Sequence, residues 1–157
     1  MIKVTAQMSV SLDGFYTGPR DTGDWMHGPE APGFFRVTRW AVDAAAWRER
    51  LGFAGGEQSI NSKIIEETFA AAGAYVMGRR MFDAGEVPWG EEPPFHAPVF
   101  VVTHRPREVL ERQGGTSFTF VTGGLERAIE LAWDAAGGKD VAVAGGGELV
   151  RQMLATK

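Results

Sequence analysis

The run Val141-Ala142-Val143-Ala144-Gly145-Gly146-Gly147-Glu148-Leu149 changes its periodicity at the three glycines. Four small apolar residues in succession before them read as a strand buried on both faces, the habit of parallel sheets. After them Leu149, Val150, Met153 and Leu154 fall at helical spacing. A strand delivered through glycines into a helix lets backbone N–H groups approach a ligand with no Cβ in the way, while the positive end of the helix faces it. Phosphate or pyrophosphate capture is the chemistry such a turn supports, and a flexible strand-to-helix connection is its plainer use. The text is neither the G-x-G-x-x-G fingerprint nor a P-loop, because no Lys-Ser/Thr follows the glycines.

Working outward, three more short apolar runs precede it: Ala74-Tyr75-Val76-Met77, Val99-Phe100-Val101-Val102 and Phe118-Thr119-Phe120-Val121. Between the last of these and the glycine run, Leu125, Ala128, Ile129 and Ala132 mark a one-faced helix. Residues 2–10 alternate apolar and polar, which predicts a strand ending in the Leu12-Asp13-Gly14 turn. Asn61 and Ser62 are candidate N-caps for a helix carrying Ile64, Ile65, Thr68, Phe69 and Ala72. From about 17 to 56 glycine and proline recur among aromatic residues, which predicts a long loop followed by a short helix near 38–50. Strands alternating with helices place the chain in the α/β class, three-layered, with a mainly parallel central sheet flanked by helices. The expected organisation is one domain over 1–157, interrupted by the aromatic Gly/Pro-rich insertion.

The 157 residues, 44% of them apolar, suffice for one such domain. About 70% of the unfolded surface can be buried at this size, so neither metal nor disulfide is needed for stability. The absence of cysteine excludes thiol nucleophiles, redox pairs and Cys-based zinc sites, and fits a reducing compartment such as the cytoplasm. A formal charge of −4 and a pI near 5.4 argue against a nucleic-acid partner, which would call for a basic face. No apolar stretch reaches membrane length, and the start MIKVTAQMSV lacks the order of a signal peptide. The three histidines, His27, His96 and His104, show no ligand spacing, so no metal site is expected.

Two other strand ends carry chemistry. Met77-Gly78-Arg79-Arg80-Met81-Phe82 runs from strand through glycine into a helix start, where a guanidinium can chelate phosphate. Val102-Thr103-His104-Arg105-Pro106 offers three side chains able to meet phosphate or ribose. Adjacent arginines on a helix and a polar loop after a strand also have ordinary solvated uses. In open α/β sheets, however, ligands lie beyond the carboxyl ends of the strands, and all three segments belong there. A ligand touching several such loops points to a dinucleotide, and extra arginine to one bearing a 2′-phosphate. Asp13 is the acid candidate for catalysis, with turn formation before Gly14 as its other use. Trp25, His27, Trp40 and Trp47 could wall a flat heterocycle, or serve as core or dimer contacts.

The ordered set of Ser11-Leu12-Asp13-Gly14 after the first strand, Val76 to Phe82, Val101 to Pro106 and Val143 to Gly147 resembles the dihydrofolate reductase-like superfamily. Within it, the match is most similar to the C-terminal reductase domain of the riboflavin-biosynthesis bifunctional deaminase-reductase and its stand-alone relatives. The resemblance implies an NADPH-dependent reductase passing hydride to a small nitrogen heterocycle, of the 5-amino-6-ribosylaminouracil reductase type. It implies that Gly145, Gly146 and Gly147 hold the pyrophosphate, with Gly78, Arg79 and Arg80 by the phosphates. Thr103, His104 and Arg105 then flank the adenine ribose, and Ala6, Gln7, Asp13 and Gly14 border the nicotinamide end. Gln7, Trp25, Ser62 and Glu66 are the expected substrate-side residues. Dihydrofolate reductase proper carries an acid where this chain has Ser62, which weakens the folate alternative. A non-catalytic nucleotide-binding dimeric module is the other alternative. The family also continues past the last helix into further strands, so either this sequence omits a tail or something else covers the outer edge of the first strand, and the partner strand of a homodimer would do so.

Overall fold

A computed structural model describes residues 3–16 and 31–155. The described residues form six strands and six helices in the order β1 (Val4–Ala6), α1 (Ala31–Val42), α2 (Ala45–Arg50), α3 (Ile60–Ala71), β2 (Ala72–Gly78), α4 (Arg79–Trp89), β3 (Pro98–Val102), β4 (Leu110–Glu111), β5 (Ser117–Val121), α5 (Gly124–Ala135), β6 (Asp140–Gly145) and α6 (Gly147–Ala155). They divide into two compact units, Met1–Gln7 with Phe69–Lys157, and Met8–Thr68.

The first unit is built on a single sheet with strand order β1-β6-β2-β3-β5-β4. Every pairing is parallel except that of β4 with β5. The four apolar runs became β2, β3, β5 and β6, and their alternate residues feed two cores on opposite faces. On one face Ala74, Val76, Phe100, Val121, Val141 and Val143 meet Leu125, Ala128 and Ala132 of α5 and Leu149 of α6. On the other, Tyr75, Met77, Val99, Val101 and Phe118 meet Phe82 of α4 and Phe95. Helices on both faces of a largely parallel sheet make the three-layer α/β arrangement that the periodicity predicts.

β1 is much shorter than the alternation over 2–10 suggests. It holds β6 through only three register pairs, Val4 with Val141 to Ala6 with Val143. Lys3 fastens its start: the Lys3 amide donates to Asp140 Oδ1 at 2.9 Å, and its carbonyl accepts from the Val141 amide at 2.9 Å. Beyond Gln7 the chain passes into the second unit, so residues 8–10 have no sheet to extend and their alternation has nothing to express.

In the second unit the helix expected near 38–50 is two helices. Ala44 adopts an extended conformation between α1 and α2 and forms a parallel bridge with Glu57, closed by Ala45 N–H to Glu57 O and Glu57 N–H to Asp43 O at 3.0 and 2.7 Å. Asn61 and Ser62, expected as caps, lie one and two residues inside α3. Among the described residues, no helix is long and apolar enough to cross a membrane.

Candidate functional site

Parallel pairing aligns the carboxyl ends of β6, β2 and β3. Met77 stands opposite Gly145, and Gly78 opposite Val102. Gly78 is the N-cap of α4 in an extended conformation, and α6 opens at Gly147. A Cβ placed on Gly78 would lie 3.8 Å from the Gly146 nitrogen, so two helix N-termini open side by side on one rim. Each brings amides that no carbonyl of its own helix can satisfy, together with the positive end of its dipole.

The glycines differ in what their backbone demands. Gly145 has φ +125°, a conformation L side chains rarely adopt, and a Cβ would also come 3.2 Å from Met81 Sδ. Its peptide with Gly146 is cis. At Gly146 a Cβ would project into open space, with nothing within 4 Å. That space is where the phosphate oxygens of a bound ligand could approach the backbone. The Gly146 carbonyl accepts from the Leu149 and Val150 amides at 3.0 and 3.2 Å, which launches α6 directly from the turn.

Beside this rim lies a cationic cluster. Arg79 Nε donates to Asp83 Oδ1 at 2.6 Å, and Arg105 Nη2 donates to Asp83 Oδ2 at 2.9 Å. One carboxylate thus bridges guanidiniums from the ends of two neighbouring strands. Arg79 Nη1 also donates to the Arg105 carbonyl at 3.4 Å, and its guanidinium lies 5.8 and 5.4 Å from the Phe82 and Phe120 ring centres. Arg107 packs against the same two rings and forks onto Glu86, with Nη1 and Nη2 donating at 2.9 and 2.6 Å. Those hydrogen bonds hold the Glu86 carboxyl below the usual carboxylate range and raise the Arg107 guanidinium above its ordinary value.

The sheet therefore brings together Ala6, Gly78, Arg79, Thr103, Arg105 and Gly145 to Gly147 along neighbouring strand ends. Thr103 is buried, and its hydroxyl is spent within the loop: it accepts from the Arg105 amide at 3.0 Å and is 3.4 Å from the Arg105 carbonyl. Thr103 shapes the segment that presents Arg105. Arg80, His104 and Gln7 are exposed.

The remaining expected residues belong to the second unit. Asp13 Oδ1 accepts from the Ser11 hydroxyl at 2.6 Å, and Ser11 Oγ accepts from the Phe15 amide at 2.9 Å. The Gly14 amide donates to the Ser11 carbonyl at 2.9 Å, so Asp13 and Gly14 are visibly a turn. Ser62, expected on the substrate side, is instead 1% exposed, and its hydroxyl accepts from the Ala46 amide at 2.9 Å. That bond ties α2 to α3. Glu66 is exposed, and Trp40 Nε1 donates to Ser9 Oγ at 2.8 Å. Trp25 and His27 lie outside the described residues.

Two partners of the cluster, Asp83 and Glu86, had no place among the expected site residues. Asp83 stands four residues after Arg79, the spacing at which opposite charges meet on a helix. Its reach to Arg105 depends on β2 and β3 being neighbours, which local spacing does not contain.

A largely parallel sheet with helices on both faces, and glycine and arginine gathered at the carboxyl rim, defines an α/β domain of the dihydrofolate reductase-like class. The family model of the RibD C-terminal domain matches residues 2–157, and the chain belongs to that family. It is thereby a reductase-type domain of the riboflavin-biosynthesis kind. No curated protein matches the chain.

Proposed function

We propose that the chain is an NADPH-dependent reductase acting on a small nitrogen heterocycle of the riboflavin pathway, of the 5-amino-6-ribosylaminouracil type. The observation that carries this reading is the adjacency of the Gly145-Gly146-Gly147 turn, Gly78 and the Arg79–Asp83–Arg105 cluster on one rim. The residues present suit the cofactor, since a space that a Cβ would fill at Gly146 faces paired helix N-termini and guanidiniums stand nearby.

When bound, the nicotinamide supplies the hydride. The amides opening α4 and α6 would hold the pyrophosphate, and Arg79 with Arg105 would hold the 2′-phosphate. Thr103 keeps Arg105 in place through the loop it closes. Holding the cofactor at several points would fix its position for the transfer, which is the protein's main contribution.

Calorimetric titration with NADPH and NADH tests the reading. The unmodified protein is expected to prefer NADPH, and Arg79→Ala to weaken NADPH binding roughly 10- to 100-fold, the range for a lost charged hydrogen bond. Binding of NADH should change little, and equal weakening of both would remove the 2′-phosphate assignment. Turnover of NADPH with ribosylaminouracil and not with dihydrofolate separates this function from the folate alternative. Binding without turnover of either would favour the non-catalytic module.

A further inference from the structure

We propose that Asp83 is a positioning residue that sets the preference for a ligand bearing a terminal phosphate, by holding Arg105 where Arg79 already stands. This rests on the NADPH reading above and assigns the discrimination within it to a carboxylate. A negative charge inside an anion site would ordinarily oppose binding, so its presence calls for a compensating role. The two guanidiniums differ sharply in how they are held.

Arg79 is confined on three sides: its side chain is 19% exposed, two aromatic rings lie against it, and it reaches both Asp83 and the Arg105 carbonyl. The Arg105 side chain is 68% exposed, and its guanidinium donates to Asp83 at 2.9 Å. An arginine on a free stem loses much rotamer freedom when it captures an anion. Asp83 removes that freedom beforehand, taking one nitrogen of each guanidinium and leaving others for the ligand. With two cations on one anion, the cluster stays positive. A phosphate monoester can then meet two prearranged donors at once.

Asp83→Asn keeps the shape of the side chain but replaces one of its two oxygens by an NH2 donor, so one of the two guanidiniums, which use different oxygens, loses its acceptor. Titration of the full chain is expected to show the NADPH preference over NADH falling about tenfold, the order of effect of freeing one arginine. The loss should lie in NADPH binding, with NADH affinity unchanged. Asp83→Glu, which restores a carboxylate, should recover most of the preference. In an Arg105→Ala background Asp83→Asn should add less than about twofold, because the residue it positions is gone.

Three results would overturn the proposal: an unchanged preference in Asp83→Asn, tighter NADPH binding, or equal weakening of both nucleotides. Tighter binding would make the carboxylate a mere competitor for the arginines, and equal weakening would make it a structural support. If the unmodified protein shows no NADPH preference, the functional reading fails and takes this inference with it. If that preference exists and Arg79→Ala abolishes it while Asp83→Asn does not, only the inference fails.

Discussion

The two faces of the sheet are packed with different materials. Against α5 the sheet meets small residues, Ala128, Ala132 and Ala136, all essentially without solvent exposure. Against α4 it meets rings: Phe82 lies edge-on to Phe118 and Phe120 at 5.0 Å, Trp89 is edge-on to Phe95 at 5.0 Å, and it stacks on Phe118 at 6.1 Å. Small residues bring a helix close and hold the layers together. Rings also offer a polarised face, and Phe82 and Phe120 use theirs to support Arg79 and Arg107. The α5 contacts thus serve stability, whereas the α4 contacts couple stability to the placement of the arginines.

Substitutions on the two faces should accordingly separate stability from binding. Phe82→Ala removes a fully buried ring, and a loss of about 3–5 kcal/mol is expected in denaturant unfolding. That is a large part of the roughly 5–15 kcal/mol typical of a domain. The variant should also bind NADPH more weakly in the cold, where it stays folded, because both arginines lose a ring beneath them. Gly73→Ala probes the other face. Its Cβ would stand 2.0 Å from the Ala136 carbonyl oxygen at the end of α5, and backbone cannot swing aside as a side chain can. Here about 1–3 kcal/mol should be lost with the ratio of NADPH to NADH affinity untouched. A Gly73→Ala protein with an altered ratio, or a Phe82→Ala protein with an unaltered one, would show that the faces do not divide the labour in this way.

The same contrast explains what could be read from the chain directly. Strands β2, β3, β5 and β6 are legible because burial on both faces makes each a continuous apolar run. Helix α5 is legible because Leu125, Ala128 and Ala132 keep strict helical spacing against the sheet. Helix α4 is harder to see past its start, since Gly85 and Pro88 interrupt its text. The structure shows the use of Gly85, where a Cβ would strike the Trp89 ring at 2.2 Å. The glycine and arginine positions of the rim follow from their place at strand ends. Asp83 and Glu86 do not, because Arg105 and Arg107, which they reach across the fold, come from the loop after β3. The antiparallel β4 is two residues long, too short for any periodicity. The bond from the Ala46 amide to the Ser62 hydroxyl is likewise not legible, because spacing along the chain does not show that α2 and α3 meet there.

Arg107→Lys should act more gently on the ring-lined face. A lysine keeps the charge opposite Glu86 but loses the two-pronged fork and the flat contact with Phe82 and Phe120. The pair is partly exposed, at 36% and 26%, so about 1 kcal/mol or less is expected from thermal unfolding. A loss near that of Phe82→Ala would mean that the ion pair, and not the rings, organises this face.

The smallest effect belongs to Glu148, in the first turn of α6 beside the glycines. Its carboxylate accepts from Arg151 Nε and Nη2 at 2.8 and 2.6 Å and from Gln152 Nε2 at 2.9 Å. The Arg151 hydrogen bonds, then that from Gln152, lower it from 4.5 to about 2. A carboxyl with a lower pKa folded than unfolded contributes stability that is complete above the unfolded value and disappears as pH falls toward the folded one. Glu148→Gln should therefore lower the neutral-pH unfolding midpoint, and only slightly, since the group is exposed and solvent screens it. It should also flatten the decline of stability between pH 4.5 and 2, measured against the unmodified protein. Superimposable acid limbs would mean that the side-chain network contributes nothing to the start of α6. The turn would then be held by the glycine backbone and the Gly146 carbonyl alone.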